Sequence, residues 1–506
     1  MMPIERHVAI IGGGAAGLTA AFFLHNRPAA DGSAIFRCTV FDASPRLGGN
    51  VFSAYLGAQP YQSPFVDLGV NDFNTTRYHD FMAVLRELER LGYPVPHAPL
   101  IDTTTWYTPR GVTKGAQIYT EADLAHPETQ FLANIARDWD AFQDVAHQVL
   151  TQIRYATMSV DEFIAEQGYS YDFAEYNLRA RINGMYYSNG RAPGEMPIRA
   201  VMSYYHLQEG LGAERKVGAR AARLAAGEED PSTRHYFVNG ASDWLRQLTR
   251  CLTDRGVELR LGARPTAYLA ETGAWRVLSG APGGDRTEFD HVISAVPAEE
   301  VSRSIALGLP PLMDTLLAQF EYLDSMAIVH DDEAMLPADR SRWSTYNILV
   351  YPPATRSLRP YTITYVDRKH QGENSDDPPY LTLTPFGAVD AEGIPPMIAL
   401  PSGERIEAVA YLRHNTLSVD AMGAQAMLPS IQGQNRLWFT GGWANGAGLH
   451  EEIIALSKEI ALRVRGFFVP DLGETRRADD PSYDPRHVRE SLGTGPRKPW
   501  PDDFLR

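Results

Sequence analysis

Three glycines and a carboxylate near the amino end have the types and spacing needed to hold a dinucleotide. His7-Val-Ala-Ile-Ile11 runs into Gly12-Gly-Gly14-Ala15-Ala16-Gly17 and then into an apolar, alanine-rich segment through Leu24. The pattern reads as a strand, a tight turn and a helix. Gly12 permits the turn, Gly14 lets backbone N–H groups approach a pyrophosphate, and Gly17 lets the helix pack close to the strand. Ala15 and Ala16 then stand at a helix N-terminus aimed at the phosphates. Cys38-Thr-Val-Phe-Asp42 is an alternating strand ending in a carboxylate placed to accept hydrogen bonds from ribose hydroxyls. Asp42 lies beyond the usual interval of about 20 residues from the glycines, and Pro28-Ala-Ala-Asp-Gly-Ser33 reads as the inserted loop. The plainer alternative for Asp42 is a solvated acid at a strand end. Arg46-Leu-Gly48-Gly49 follows at once. Adjacent glycines expose consecutive N–H groups as an anion-binding nest, and Arg46 adds a forked donor for the same phosphates.

The other end of the chain carries a second constellation. Gly446-Ala-Gly448-Leu449-His450-Glu451-Glu452 precedes the amphipathic segment Ile453 to Val464, with acids in the first turn and Arg463 and Arg465 in the last. That arrangement matches the helix dipole at both ends. His450 is the one titratable group expected beside whatever the glycines bring close. It is the candidate catalytic residue, and a helix cap is the alternative. Ile454 stands where an HExxH zinc motif needs its second histidine, and the chain holds no GxSxG and no P-loop. His330-Asp331-Asp332 could suggest a metal, although solvated loop residues are the commoner meaning of such a cluster. No metal site is expected.

These residues resemble a known family. Gly12-x-Gly14-x-x-Gly17, Asp42-Ala43-Ser-Pro-Arg46-Leu-Gly48-Gly49 and Asp67-Leu-Gly69 are similar to the amino-terminal signature of the flavin amine oxidase and phytoene desaturase superfamily. Asn435-Arg-Leu-Trp-Phe-Thr-Gly441-Gly442-Trp-Ala-Asn-Gly-Ala-Gly448-Leu449-His450 resembles its closing flavin-contact motif. Val329-His-Asp-Asp332, Met335-Leu-Pro337, Trp343-Ser-Thr-Tyr-Asn347 and Ala426-Met-Leu-Pro-Ser-Ile-Gln-Gly433 bring the likeness nearest to bacterial NAD/FAD-binding proteins described as FAD-dependent oxidoreductases. The resemblance covers most of residues 5–466 and implies FAD as cofactor. On its motifs the cofactor contacts are Gly12, Gly14, Ala15, Ala16, Gly17, Asp42, Ala43, Arg46, Gly48, Gly49, Asn50, Gly441, Gly442, Leu449 and His450. It also implies that the helix after Leu449 faces the pyrimidine edge of the flavin, so Glu451 and Glu452 are expected to turn away from the ring.

The chain departs from the family at four places. Gly442 replaces an acid that contacts the cofactor in many relatives. Ile453 replaces a glycine. Pro265, which has no N–H, stands where a valine supplies a backbone contact to the adenine. Tyr322-Leu-Asp-Ser-Met-Ala-Ile328 lacks the lysine that holds a water near the flavin in amine oxidases.

The elements that must position these groups can be read from periodicity. Residues 1–75 form the first part of a Rossmann-like FAD-binding domain. Residues 76–230 form a mainly helical part of a substrate domain, with helices over Tyr78–Gly92, over Thr129–Ile153, and from Ser159, where Glu162 completes a capping box. The aromatic cluster Tyr186, Tyr187, Tyr204, Tyr205 and His206 either packs in the core or lines a substrate cavity. Gly210 to Pro231 reads as an exposed connector. Residues 231–300 return to the FAD-binding domain through a helix ending near Leu252 and strands Val257–Leu261 and His291–Val296. Residues 301–415 supply the substrate domain's sheet, with strands at Tyr346–Tyr351, Tyr361–Val366 and Tyr380–Thr384. Residues 416–466 complete the FAD-binding domain, and 467–506 form a tail rich in Pro, Asp and Arg. The fold class is α/β, with a discontinuous α+β substrate domain.

Composition sets outer limits. The 506 residues are 44% hydrophobic and 22% charged, ordinary for a globular protein of two or three domains. A formal charge of −15 argues against nucleic acid as a partner. Only Lys114, Lys216, Lys369, Lys458 and Lys498 are lysines among 47 basic residues, which leaves few candidates for lysine base chemistry. Cys38 and Cys251 are far apart, and neither is near the closing motif, so FAD is expected to be noncovalent. The start Met1-Met-Pro-Ile-Glu-Arg6 lacks the apolar run that a signal peptide needs, no apolar stretch is long enough for a membrane span, and the expected location is the cytoplasm. The leading functional expectation is an FAD-dependent oxidoreductase removing a hydride from a C–H bond of a small organic substrate, either by desaturation or dehydrogenation of a lipophilic molecule or by oxidation of an amine or amino acid. The alternatives are a redox-neutral double-bond isomerase or hydratase, and a flavin-binding protein without catalysis.

Overall fold

The continuous apolar run Val8–Ile11 suits a strand covered on both faces, and Cys38–Phe41 is likewise buried at every position, Thr39 included, so the alternation read there does not mark an exposed face. Both strands lie inside a five-stranded parallel sheet. The structure, a computed structural model, describes residues 3–467 apart from 58–60, 62–63, 109–117, 187–192, 228–233, 263, 280–287, 351–360, 386–400 and 403–404. Across the sheet the order is Glu258–Leu261, Ala34–Asp42, Ile4–Ile11, His291–Ser294 and Leu437–Phe439. Three distant stretches of sequence therefore share one sheet. Ile11 pairs with Ser294 and Ser294 with Phe439, so the turn at Gly12 and the loop at Gly441 leave the same sheet end, one strand apart.

The helix Ala15–Leu24 is buried along its whole length, as its small and apolar composition allows. The helix His450–Val464 packs on it and is pinned there by the Ser457 hydroxyl, which donates to the Ala16 carbonyl at 3.1 Å. The amino-terminal glycine turn and the carboxy-terminal helix are thus fixed to each other.

A second, seven-stranded sheet has the order Ile406–Asn415, Tyr322–His330, Tyr380–Pro385, Tyr361–Val366, Tyr346–Val350, Thr104–Tyr107 and Ile118–Thr120. It is antiparallel except where Tyr346–Val350 runs parallel to Thr104–Tyr107. The three expected strands are present. The stretch expected to be mainly helical adds two more, Thr104–Tyr107 and Ile118–Thr120. Helices Gln130–Thr151 and Ile198–Gln208 share a core with this sheet. The expected capping box forms, with Ser159 and Glu162 bonding reciprocally, and Thr129 caps the longer helix by accepting from the Leu132 amide.

The exposed connector expected at Gly210–Pro231 is corrected. Val217–Ala225 is a helix, and Arg215 before it is buried, its carbonyl accepting from Trp139 Nε1 at 3.0 Å. Alanine and arginine are strong helix formers, so composition that suggested a linker also serves a helix. The tail from 468 lies outside the described residues. Among the described residues, no helix is long and apolar enough to cross a membrane.

Candidate functional site

The first glycine turn is built by close approach. A Cβ on Gly12, whose φ is +113°, would meet the Ala295 carbonyl oxygen at 2.6 Å, and one on Gly17 would overlap the Gly12 carbonyl oxygen. Gly14 differs, because an added Cβ would have nothing within 4 Å. The Gly48 N–H donates to the Gly13 carbonyl at 3.0 Å, and Gly14 and Gly48 bridge as adjacent strands do. Both glycine motifs therefore border one space.

Asp42 accepts from the Gly13 amide at 2.6 Å and the Ser44 amide at 2.7 Å, so its carboxylate organises the turn. A carboxylate has about four acceptor sites, which leaves capacity for ribose hydroxyls. The Arg46 guanidinium donates to the carbonyls of Leu47, Gly49 and Val51 and lies 4.9 Å from the Phe52 ring centroid. It braces the second glycine motif.

The closing loop is held from several sides. Trp443 Nε1 donates to the Val296 carbonyl at 2.9 Å, and Gln425 Nε2 donates to the carbonyls of Trp443 and Gly446. Glu452 accepts from the amides of Ala447 at 2.9 Å and Leu449 at 3.1 Å. Glu451 accepts from the amides of Asp80 at 2.8 Å and Phe81 at 3.0 Å. Both acids are buried, and neither lines the cavity, in keeping with the expectation that they turn away from it. Their charge is used to fix the loop and to cap a neighbouring helix.

A cavity of about 440 Å³ runs from these glycines to the seven-stranded sheet. Its lining includes Gly14, Ala15, Ala16, Gly48, Gly49 and Asn50 from the two glycine motifs and Gly441, Gly442, Leu449, His450 and Ile453 from the closing loop and its helix. Gly12, Gly17, Asp42, Ala43 and Arg46 do not line it. Gly12 and Gly17 shape the turn, and Asp42 and Arg46 brace it from outside. Among the described residues that line the cavity there is no lysine. His450 is 5% exposed, and burial lowers its pKa to about 4, so the imidazole is neutral near pH 7.

The cavity lining also holds groups that the sequence did not single out. Asp72 accepts from Tyr346 Oη at 3.0 Å and from Gln208, and it lies 3.3 Å from both Arg234 and His370. Burial alone would raise the Asp72 carboxyl, but the Arg234 charge and the His370 and Tyr346 contacts hold it at about 2. Tyr346 and Tyr365 meet edge to face, with ring centroids 4.8 Å apart. Only the alternation of residues 346–350 and 361–366 marked these two, as strands and not as a cavity wall. Of the aromatic cluster, Tyr204 lines the cavity and Tyr205 packs in the core, while Tyr187 lies outside the described residues. His330 is buried 2.7 Å from the Thr382 hydroxyl, and Asp332 caps a short helical turn.

The NAD(P)-binding Rossmann-like domain family matches residues 10–88. No curated protein matches the chain by sequence. Among solved structures, the chain is similar to cyclohexylamine oxidase from Brevibacterium oxydans, at 15% identity and a TM-score of 0.58, over 91% of this chain and 99% of that one. A double mutant of putrescine oxidase gives 14% identity and a TM-score of 0.61 over 92% and 100%. The fold is that of the flavin amine oxidases. The same fold is shared with a CLA-producing fatty acid isomerase from P. acnes, at 15% identity and a TM-score of 0.58 over 92% and 99%. The flavin amine oxidase fold therefore hosts both oxidases and an isomerase among these neighbours, and the reaction must be argued from the site.

Proposed function

We propose that this protein binds FAD noncovalently and is an oxidoreductase that removes a hydride from a C–H bond of an organic substrate. The observation that carries the reading is the single cavity bordered by both glycine motifs, the closing loop and the tyrosine-bearing sheet. Gly14 leaves open space where a pyrophosphate approaches, and the N-terminus of Ala15–Leu24 faces it. Asp42 is the ribose acceptor, and Gly441–Gly442 and Leu449–His450 border the flavin ring. Bound FAD supplies hydride acceptance. The chain's own residues orient the substrate: Ile348, Ile363 and Tyr365 offer an apolar wall, and Tyr346 is fixed by its bond to Asp72.

The absence of a lysine from the described cavity lining favours dehydrogenation or desaturation over amine oxidation. The isomerase among the structural neighbours keeps one second reading in play, a redox-neutral double-bond isomerisation. Denaturing the purified protein and separating small molecules tests the cofactor, since FAD is expected in the released fraction. Anaerobic mixing with candidate substrates tests the reaction. Bleaching of the flavin is expected of an oxidoreductase, whereas product formation with the flavin still oxidised would establish the redox-neutral reading.

A further inference from the structure

The strand Ile406–Asn415 is the outer strand of the seven-stranded sheet, with Tyr322–His330 as its single strand neighbour among the described residues. The Thr416 amide donates to the Glu321 carbonyl at 2.8 Å, one step past the pairing of Asn415 with Tyr322. Bonded and non-bonded pairs alternate along an antiparallel ladder, so Ala410 and Leu412 bond to the neighbouring strand, while Val409, Tyr411 and Arg413 turn N–H and C=O away from it. The Arg413 carbonyl keeps to this phase, since it accepts from Asn50 Nδ2 at 3.0 Å. That contact covers one end of the edge. A register shift between Ala408 and Ile406 marks the other end, which leaves Val409–Tyr411 as its regular centre. Proteins commonly blunt such edges with lysine or proline. This strand is ten residues long and contains neither.

Glu407, Val409, Tyr411 and Arg413 share one side of the strand, and all four are exposed, Val409 by 43% and Tyr411 by 71%. They are placed symmetrically about Ala410. A second copy laid antiparallel, with a twofold axis at Ala410, sets Val409 opposite Tyr411 and Glu407 opposite Arg413, each pair occurring twice. A β-branched residue facing an aromatic one and an acid facing a base are the cross-strand pairs that stabilise a sheet. The same register sets the outward N–H and C=O groups of Val409 against those of Tyr411, as a bonded pair requires. An axis at Val409 would instead set Arg405 against Arg413, and one at Tyr411 would leave Glu407 facing Asn415. Arg413 is held by Glu299 at 2.6 Å, so its charge is fixed at the end of the edge.

We propose that Ile406–Asn415 pairs with the same strand of a second copy of this chain, antiparallel about a twofold axis at Ala410, joining two seven-stranded sheets into one. The symmetry of the four exposed side chains favours a second copy over an unrelated strand, which would need no such pattern. The inference does not depend on the flavin reading.

Sedimentation equilibrium of the purified full-length protein at micromolar concentration tests it, and a dimer is expected. Val409→Pro removes an N–H that points away from Tyr322–His330, so the sheet keeps its own bonds while the edge loses a donor. This variant should sediment as a monomer with the parent's circular dichroism spectrum. Glu407→Arg changes an exposed side chain and sets like charges opposite each other at both ends of the pairing, which should weaken the dimer by about tenfold or more. It is the deciding variant if Val409→Pro does not fold. A parent that sediments as a monomer, or a dimer as tight in either variant as in the parent, would overturn the proposal. The mass measurement needs no flavin, so a preparation lacking FAD would count against the proposed function alone.

Discussion

The imidazole of His450 stacks on the ring of Phe81, with centroids 5.1 Å apart and planes at 26°, and meets Trp244 edge-on at the same distance. The residue expected to face the flavin therefore has aromatic neighbours from two other helices as well as a place on the cavity lining. Its Nε2 has no hydrogen-bond partner. His450→Ala should lower stability by about 2–5 kcal/mol, the range for truncating a buried side chain, while FAD stays bound. His450→Phe should keep most of the packing and remove the nitrogens. If His450 touches the flavin, both variants will shift the flavin absorption spectrum and slow anaerobic reduction. A His450→Phe protein with the parent's spectrum and reduction rate would leave His450 as a packing residue only.

Gly14 and Gly17 should respond differently to the same substitution. Gly14 has φ −81° and ψ −173°, backbone that any residue adopts, and open space where its side chain would go. Gly14→Val should fold with a melting temperature near that of the cofactor-free parent, yet purify without FAD. Gly17→Val would drive a side chain into the Gly12 carbonyl and should not give soluble, folded protein. Flavin content per chain, read by absorbance, separates the outcomes. A Gly14→Val protein that retains stoichiometric FAD would show that this turn is not the cofactor site.

Asp42 organises the turn, and on the proposed reading it also accepts from the ribose, so its removal should test both roles. Asp42→Ala strips the acceptor from the Gly13 and Ser44 amides, so the cofactor-free protein should lose about 1–3 kcal/mol of stability. FAD affinity should fall by a similar amount for lost bonds to a charged acceptor, on the order of 1.5–3 kcal/mol. Asp42→Asn retains a side-chain acceptor and should recover much of the stability. Unfolding curves with and without added FAD measure the two effects separately. Equal losses in both curves would mean that Asp42 serves the turn alone.

What could be read in the sequence was local chemistry with strict spacing. The turn at Gly12–Gly17, the strand ending at Asp42 and the capping box at Ser159 and Glu162 each depend on neighbours within a few residues, and each forms as expected. Asp72 and Arg234 were invisible because their partners lie far along the chain: Arg234 is 162 residues from Asp72, and Tyr346 is 274. The strand Ile406–Asn415 escaped notice for a different reason. Ile406–Asn415 is an edge strand whose outward residues, including Tyr411, are exposed, so its apolar content marks no core face.

Buried histidines should make the protein sensitive to mild acid. Burial lowers the pKa values of His291, His330, His414 and His450 to about 4, from the ordinary 6.5. The unfolded chain therefore binds more protons than the folded one between those values, and stability must rise with pH across that window. Acidification from pH 7 toward 4.5 costs up to about 1.4 kcal/mol per pH unit for each such histidine. Asp67 and Asp367 act in the opposite direction, because burial raises both carboxyls, that of Asp67 to about 7, and acid relieves the cost of their charge. The four histidines outnumber these two acids. Calorimetric melting temperatures should fall steadily from pH 7 to pH 4.5, and His450→Phe should flatten the slope by about the share of one histidine. A His450→Phe protein whose melting temperature falls as steeply as the parent's would mean that His450 is not the neutral, enclosed imidazole described here.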